Sequence, residues 1–325
     1  MRKALVIGIG NIENMKLEGA INDANAIATT IATDGDGSPN FHVKLITDMK
    51  NKVNKSDLKG LIKELFEGEH ETALLYFSGH GFLNDVGGYI VTSDGKSNDE
   101  GVSMDEILIL ANKSEIKNKI IILDCCHSGK FGDSSLIGEG KTTITKGVTI
   151  LTASKDSEAA VEINGHGVFT ALLIQALGGG ASDLRGDITP GSVYAYIDQA
   201  LGPWNQRPVF KTNISEFVRL KKINPPIPVE TLRKITEYFN SPEEHYELDP
   251  SYEDTNSPNV GHEIITPHAK PENVAVFKDL QKMQSVGLVV PEEADYMYFA
   301  AMNSKSCKLT ALGLHYWRLV KNKKI

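Results

Sequence analysis

Two short segments hold residue types that could do covalent chemistry together. LLYFSGHG (residues 74–81) carries His80 between two glycines, and IIILDCCHSG (120–129) carries Cys126. An imidazole that takes the thiol proton leaves a thiolate, the nucleophile of cysteine hydrolases. With no side chain at Gly81, its backbone N–H can approach a substrate carbonyl, and with the N–H of Cys126 it would form an oxyanion hole. His127 adjoins the thiol, but successive strand residues point to opposite faces, so His80 is the expected base and Cys125 is expected in the core. The alternative is that His80 and Cys126 are merely packed, but a strand tip bordered by Ser78, Gly79 and Gly81 is a poor place to bury an imidazole. Asp124 and Ser78 lie two residues before Cys126 and His80, hence on the same strand faces.

Strands must deliver those side chains to one edge. Both segments are apolar runs breaking into small and polar residues, as buried parallel strands do at the carboxyl edge of a sheet. KALVIGIG (3–10), HVKLIT (42–47) and VTILTAS (148–154) are strand-like in the same way, GYIVT (88–92) is a short extended piece, and ISEFVRL (214–220) is expected as a closing strand. Helical spacing marks residues 17–32, 56–67, 103–112 and 167–177, with Ser103 and Glu106 expected as a capping box. Thr189-Pro190 opens another helix running to about Leu201. The alternation predicts an α/β layer sandwich with a mostly parallel sheet, whose sites sit at carboxyl strand ends. GIGNIE lacks the third glycine of a dinucleotide fingerprint, and GEGKTT lacks the first glycine of a phosphate loop.

The chain has 325 residues, 41% of them hydrophobic, and a net charge of −8. That is room for a large and a small domain with a real core, and the charge argues against general nucleic-acid binding. No apolar run reaches membrane-spanning length, so no membrane association is expected. Cys125, Cys126 and Cys307 are not spaced as a disulfide framework or zinc site, which fits a reducing cytoplasm.

The SGHG and DCCHSG motifs resemble the catalytic motifs of the caspase clan, in its metacaspase and prokaryotic caspase-homologue branch, over residues 1–220. GHGVFT (165–170) and QRPVF (206–210) are similar to that family's later elements. The resemblance implies a His80–Cys126 dyad and an acidic pocket lined by Asp124, Ser78 and the Asp of a GCxNDA-like segment. Here GAINDA (19–24) supplies Asp23, with Ala20 at the usual Cys position. Two carboxylates in a cleft would hold a guanidinium or ammonium, so cleavage after Arg or Lys is expected. Asp94, Asp99 and Glu100 fall where many metacaspases place calcium ligands; clustered carboxylates suit a hard cation and equally a solvated loop. The chemistry needs no cofactor, leaving calcium as an activator. Lys130, Lys141 and Lys146 lie in the small- and polar-residue loop 128–147 that follows Cys126 and are candidates for self-processing.

After Leu220 the character changes. INPPIPVE (223–230) is proline-rich, and six acids fall between Glu243 and Asp254. We therefore expect a peptidase domain over 1–222, a proline-rich acidic linker over 223–272, and a small α+β domain over 273–325. Residues 270–325 carry nine Lys/Arg against five Asp/Glu, opposite in sign to the rest. A helix, a GLV turn, a hairpin in DYMYFAAMNSKSCKL and a helix opened by Thr310 resemble a winged helix, with protein docking favoured over DNA. The expected function is a cysteine endopeptidase for substrates with Arg or Lys before the scissile bond, regulated by a partner, self-processing or calcium, and by family analogy acting in stress or defence. The rival is a catalytically inactive caspase-like scaffold or DNA-binding regulator.

Overall fold

The computed structural model describes residues 1–12, 15–85, 87–96, 99–125, 144–153, 162–163, 165–201, 208–214, 218–258 and 264–325. The chain divides into two compact units, Met1–Asn224 and Pro225–Ile325.

The first unit begins with β1 (Arg2–Ile9), a two-strand hairpin of β2 (Asn11–Ile12) and β3 (Met15–Lys16), and α1 (Glu18–Ala32). It continues through β4 (His42–Thr47), α2 (Lys55–Phe66), β5 (Thr72–Gly79), β6 (Gly81–Asn84), β7 (Gly87–Lys96), β8 (Asp99–Ser103), α3 (Met104–Lys113) and β9 (Asn118–Asp124). Then follow β10 (Val148–Thr152), β11 (Glu162–Ile163), β12 (His166–Gly167), α4 (Val168–Gln175), β13 (Asp187–Ile188), α5 (Pro190–Leu201), β14 (Val209–Asn213) and β15 (Lys221–Lys222).

Six strands form the main sheet in the order β14-β10-β9-β5-β1-β4, all parallel except β14, which runs antiparallel to β10. The period of two along each strand sorts its residues between two cores. Leu75, Phe77, Ile121, Leu123 and Cys125 pack against Leu58 and Ile62 of α2 and Ile107 and Leu108 of α3. Leu74, Tyr76, Ile120 and Ile122 pack against Ala24 and Ile27 of α1, Phe169 and Leu173 of α4, and Val193 and Ile197 of α5. A sheet covered on both faces is why its strands read as continuous apolar runs. Gly8 lets α1 sit down on β1, because a Cβ there would lie 2.5 Å from the Ala20 carbonyl oxygen.

Two local expectations need correction. The closing strand is Val209–Asn213, where Leu151 pairs with Phe210; of the expected 214–220, residues 214 and 218–220 are not in a strand and 215–217 lie outside the described residues. Ser103 stands at the N-cap of α3 without a side-chain capping bond, and Glu106 pairs instead with Lys59. By contrast Asn54 caps α2 by accepting from the Asp57 amide.

The second unit contains α6 (Val229–Arg233), α7 (Ile235–Tyr238), β16 (His245–Glu247), a 3₁₀ turn at Pro250–Tyr252, α8 (Pro271–Ser285), β17 (Val289–Pro291), α9 (Met297–Met302), β18 (Ser306–Leu309) and α10 (Ala311–Lys321). Its sheet is β16-β18-β17, antiparallel throughout. The described parts of 223–272 are thus folded and not a linker. Tyr246 and Tyr252 supply apolar area and meet edge to face at 6.0 Å, and Asp249 caps Ser251 rather than staying in solvent. Asn256, fully buried, bonds the carbonyls of Pro250, Ile265 and Pro267. The expected hairpin at 295–309 is a helix followed by a strand. Met297, Ala300 and Ala301 are buried at helical spacing, which overrides the apparent alternation. Thr310 caps α10 as expected, accepting from the Gly313 amide at 2.9 Å. Among the described residues no helix is long and apolar enough to cross a membrane.

Candidate active site

β5 and β9 lie side by side and in register, so that Ser78 pairs with Asp124 at the carboxyl edge. His80 follows one strand directly and Cys126 follows the other by two residues. Cys126 itself, with its N–H, His127, Lys130 and Lys141, lies outside the described residues. Cys125 is buried in the core on the α2–α3 face.

Between strand end and imidazole the backbone turns at Gly79 with φ of 157°, and a Cβ there would lie 2.8 Å from the Ile9 carbonyl oxygen. Only glycine suits so close an approach. His80 is then held from two sides. Its carbonyl accepts from the Val91 amide at 3.0 Å, and its Nε2 lies 2.8 Å from the Met15 carbonyl oxygen in β3. A carbonyl can only accept, so Nε2 carries the proton, and in the neutral ring Nδ1 keeps the lone pair that a base needs. Gly81 opens β6 and pairs with Ile90.

On the α1–α4 face of the same edge, Asp23, Ser78 and Asp124 come together. Ser78 Oγ donates to Asp23 Oδ2 at 3.1 Å. His166 Nδ1 lies 2.7 Å from Asp23 Oδ1, and the Gly167 amide donates to Asp23 Oδ2 at 3.4 Å. Thr170 Oγ1 donates to Asp124 Oδ2 at 2.6 Å and shares a 2.5 Å contact with the hydroxyl of fully buried Tyr76. The two carboxylates crowd one spot, since a Cβ on Gly167 would lie 3.0 Å from Asp124 Oδ2 and 3.4 Å from Asp23 Oδ2. Desolvation pushes the Asp124 carboxyl up to about 6, with the Asp23 charge adding to it and the Thr170 bond working against it. Burial likewise raises Asp23, opposed by the His166 and Ser78 bonds. Two carboxylates held against their own desolvation gain most from a cation placed between them.

Four contributors escape a reading based on strand ends alone: the Met15 carbonyl, His166, Gly167 and Thr170. The last three fall in the GHGVFT segment, where small and polar residues interrupt the start of a helix. Met15 acts through its backbone, which no side-chain pattern announces.

The other candidates behave differently. Asp94 Oδ1 accepts from the Lys55 amide at 3.0 Å and from Thr92 at 2.7 Å, and Asp99 pairs with Lys55 Nζ. Of Glu100 only the backbone is described. Among the described residues no three His, Cys, Asp or Glu side chains are grouped to hold a metal. Lys146 sits at the amino edge of the sheet, opposite the edge that bears His80, and its carbonyl accepts from Lys119 Nζ at 3.0 Å. The next amide, Gly147, donates to Asn213 at 2.6 Å, so this peptide bond is tied into the sheet.

Among solved structures the chain is similar to caspase-1 from Spodoptera frugiperda, at 13% identity and a TM-score of 0.50, covering 68% of this chain and 90% of that one. At that identity the likeness concerns the fold. No curated protein matches the chain. The family model for the caspase domain matches residues 1–216. With that match spanning most of the chain, over the sheet whose carboxyl edge bears His80, Ser78 and Asp124, the protein belongs to the caspase domain family.

Proposed function

We propose that this chain is a cysteine endopeptidase that cuts after Arg or Lys, with His80 and Cys126 as its dyad. Membership of the caspase domain family points to a cysteine peptidase acting on proteins. The observation that carries the finer reading is the meeting of Asp23 and Asp124 around Gly167, on the edge that bears His80. A guanidinium or ammonium entering there replaces lost water with two charge-assisted bonds.

In this mechanism His80 Nδ1 takes the Cys126 proton and the thiolate attacks the scissile carbonyl. The N–H groups of Gly81 and Cys126 hold the oxyanion. The proton then passes to the leaving amine, and water hydrolyses the acyl-enzyme with His80 again as base. Self-processing would fall at Lys130 or Lys141, since the 146–147 bond is held at the far edge of the sheet. Calcium would act as an activator near Asp94, Asp99 and Glu100, and loss of activity with a chelator is its test. We assign a cytoplasmic location from cysteine usage, and to the second unit a winged-helix-like docking role, supported by exposed Tyr296 and Phe299 packed 6.2 Å apart.

Turnover of fluorogenic peptides by the full chain tests the reading. Arg- and Lys-ending peptides should be cut, Asp-ending ones left intact, and Cys126→Ala and His80→Ala should each lose at least about 1,000-fold in kcat. Preference for Asp-ending peptides would overturn the specificity. No turnover of any peptide, with a DNA mobility shift by the full chain, would favour the scaffold or DNA-binding regulator.

A further inference from the structure

The imidazole of His80 is oriented by a carbonyl on a hairpin of only two-residue strands, and such a hairpin does not hold its own position. What fixes it lies one strand away. Asp48 follows β4 at the same carboxyl edge and is only 6% exposed. Its carboxylate takes two successive backbone amides at the root of the hairpin, Gly10 on Oδ1 at 3.0 Å and Asn11 on Oδ2 at 2.7 Å. The Asn11 side chain returns a bond to the Asp48 carbonyl at 3.1 Å, and Ser93 Oγ donates to Oδ2 at 3.3 Å. The far end closes on the same residue, as the Leu17 amide donates to the Gly10 carbonyl at 2.8 Å. Gly10 admits that closure, since a Cβ would lie 2.1 Å from the Leu17 carbonyl oxygen.

We propose that Asp48 is a positioning residue for catalysis, holding the β2–β3 hairpin so that the Met15 carbonyl fixes the proton of His80 on Nε2. The inference rests on His80 being the base. Asp48 does not touch the imidazole. It acts through two chelated amides and the Ile12–Met15 pairing of the hairpin. A carboxylate is required because both oxygens accept at once; an amide offers one acceptor and sets an N–H₂ against the other backbone N–H. Small displacements of a catalytic group made from a distance cost up to about 100-fold in rate. The structural effect of losing Asp48 should therefore appear in turnover and not in substrate binding, because the Asp23–Asp124 carboxylates are anchored separately by His166, Ser78 and Thr170.

The test is Asp48→Asn in the full chain, read by steady-state kinetics on an Arg-ending peptide and by nitrogen-15 NMR of the His80 ring. The expected result is kcat reduced about 10- to 100-fold with KM within twofold, and a His80 ring that changes from one Nε2–H tautomer to a mixture. Asn11→Ala removes only the returned bond and serves if Asp48→Asn does not fold; it should lower kcat several-fold with the same tautomer mixing. Unchanged kcat and an unchanged tautomer in a folded variant overturn the proposal. A fully active His80→Ala instead overturns the dyad on which it rests, so the two failures are distinct.

Discussion

Gly167 stands between Asp124 and Asp23 with no side chain of its own, its Cβ position 3.0 Å from the Asp124 carboxylate. Its backbone is ordinary, with φ of −59° and ψ of 140°, so alanine is permitted there by conformation and limited only by space. Gly167→Ala should raise KM for Arg-ending peptides about 10-fold with kcat little changed, and Gly167→Val should abolish binding of Arg at the pocket. Steady-state kinetics on matched Arg and Lys peptides check this. Equal KM in Gly167→Ala would mean that the cation binds elsewhere.

The pocket should also titrate. Asp124, raised to about 6, binds a cation only when ionised. KM for Arg-ending peptides should stay level above pH 7 and rise as pH falls through about 6, by up to about 10-fold per unit. In Asp124→Asn that slope should vanish and KM should be high at every pH. A pH series of KM on the native and Asp124→Asn proteins checks both expectations.

The same group makes a stability prediction of opposite sense to its function. A carboxyl whose folded pKa lies above its unfolded value favours the folded state most when protonated. Its contribution is complete below about pH 4 and is lost as pH rises through about 6. Asp124→Asn should therefore be more stable than the native chain at pH 7.5, by on the order of 1–3 kcal/mol, with the gap closing toward pH 4. Urea unfolding at the two pH values gives the difference. A variant less stable at pH 7.5 would show that ionised Asp124 is a net structural asset.

Much of the first unit was legible because buried parallel strands announce themselves. The runs expected at 3–10, 42–47, 74–77 and 120–123 fall on the strands Arg2–Ile9, His42–Thr47, Thr72–Gly79 and Asn118–Asp124, to within one residue at 3–10 and short of the ends at 74–77 and 120–123. The period of two sends Cys125 to the core and Ser78 and Asp124 to the other face. Contacts between distant segments were less legible. His166 reaches Asp23 across 143 residues, and nothing local to either states that they meet. The second unit was misjudged where prolines and acids suggested a connector. In such a segment capping and turn bonds, such as those of Asp249 and Asn256, replace the apolar periodicity by which helices and strands are recognised. Alternation misled at α9 for a related reason, since Tyr298 and Phe299 are apolar but exposed and imitate a strand.

The parallel pairing of β9 with β10 has one more consequence. A parallel neighbour can be reached only by crossing from one edge of the sheet to the other, so residues 125–147 join Asp124 at the carboxyl edge to Val148 at the amino edge. Five paired positions, from Val148 opposite Lys119 to Thr152 opposite Leu123, then hold the two strands whether or not the crossing is whole. A chain cut at Lys130 or Lys141 would run as two pieces on a denaturing gel and as one particle on a sizing column.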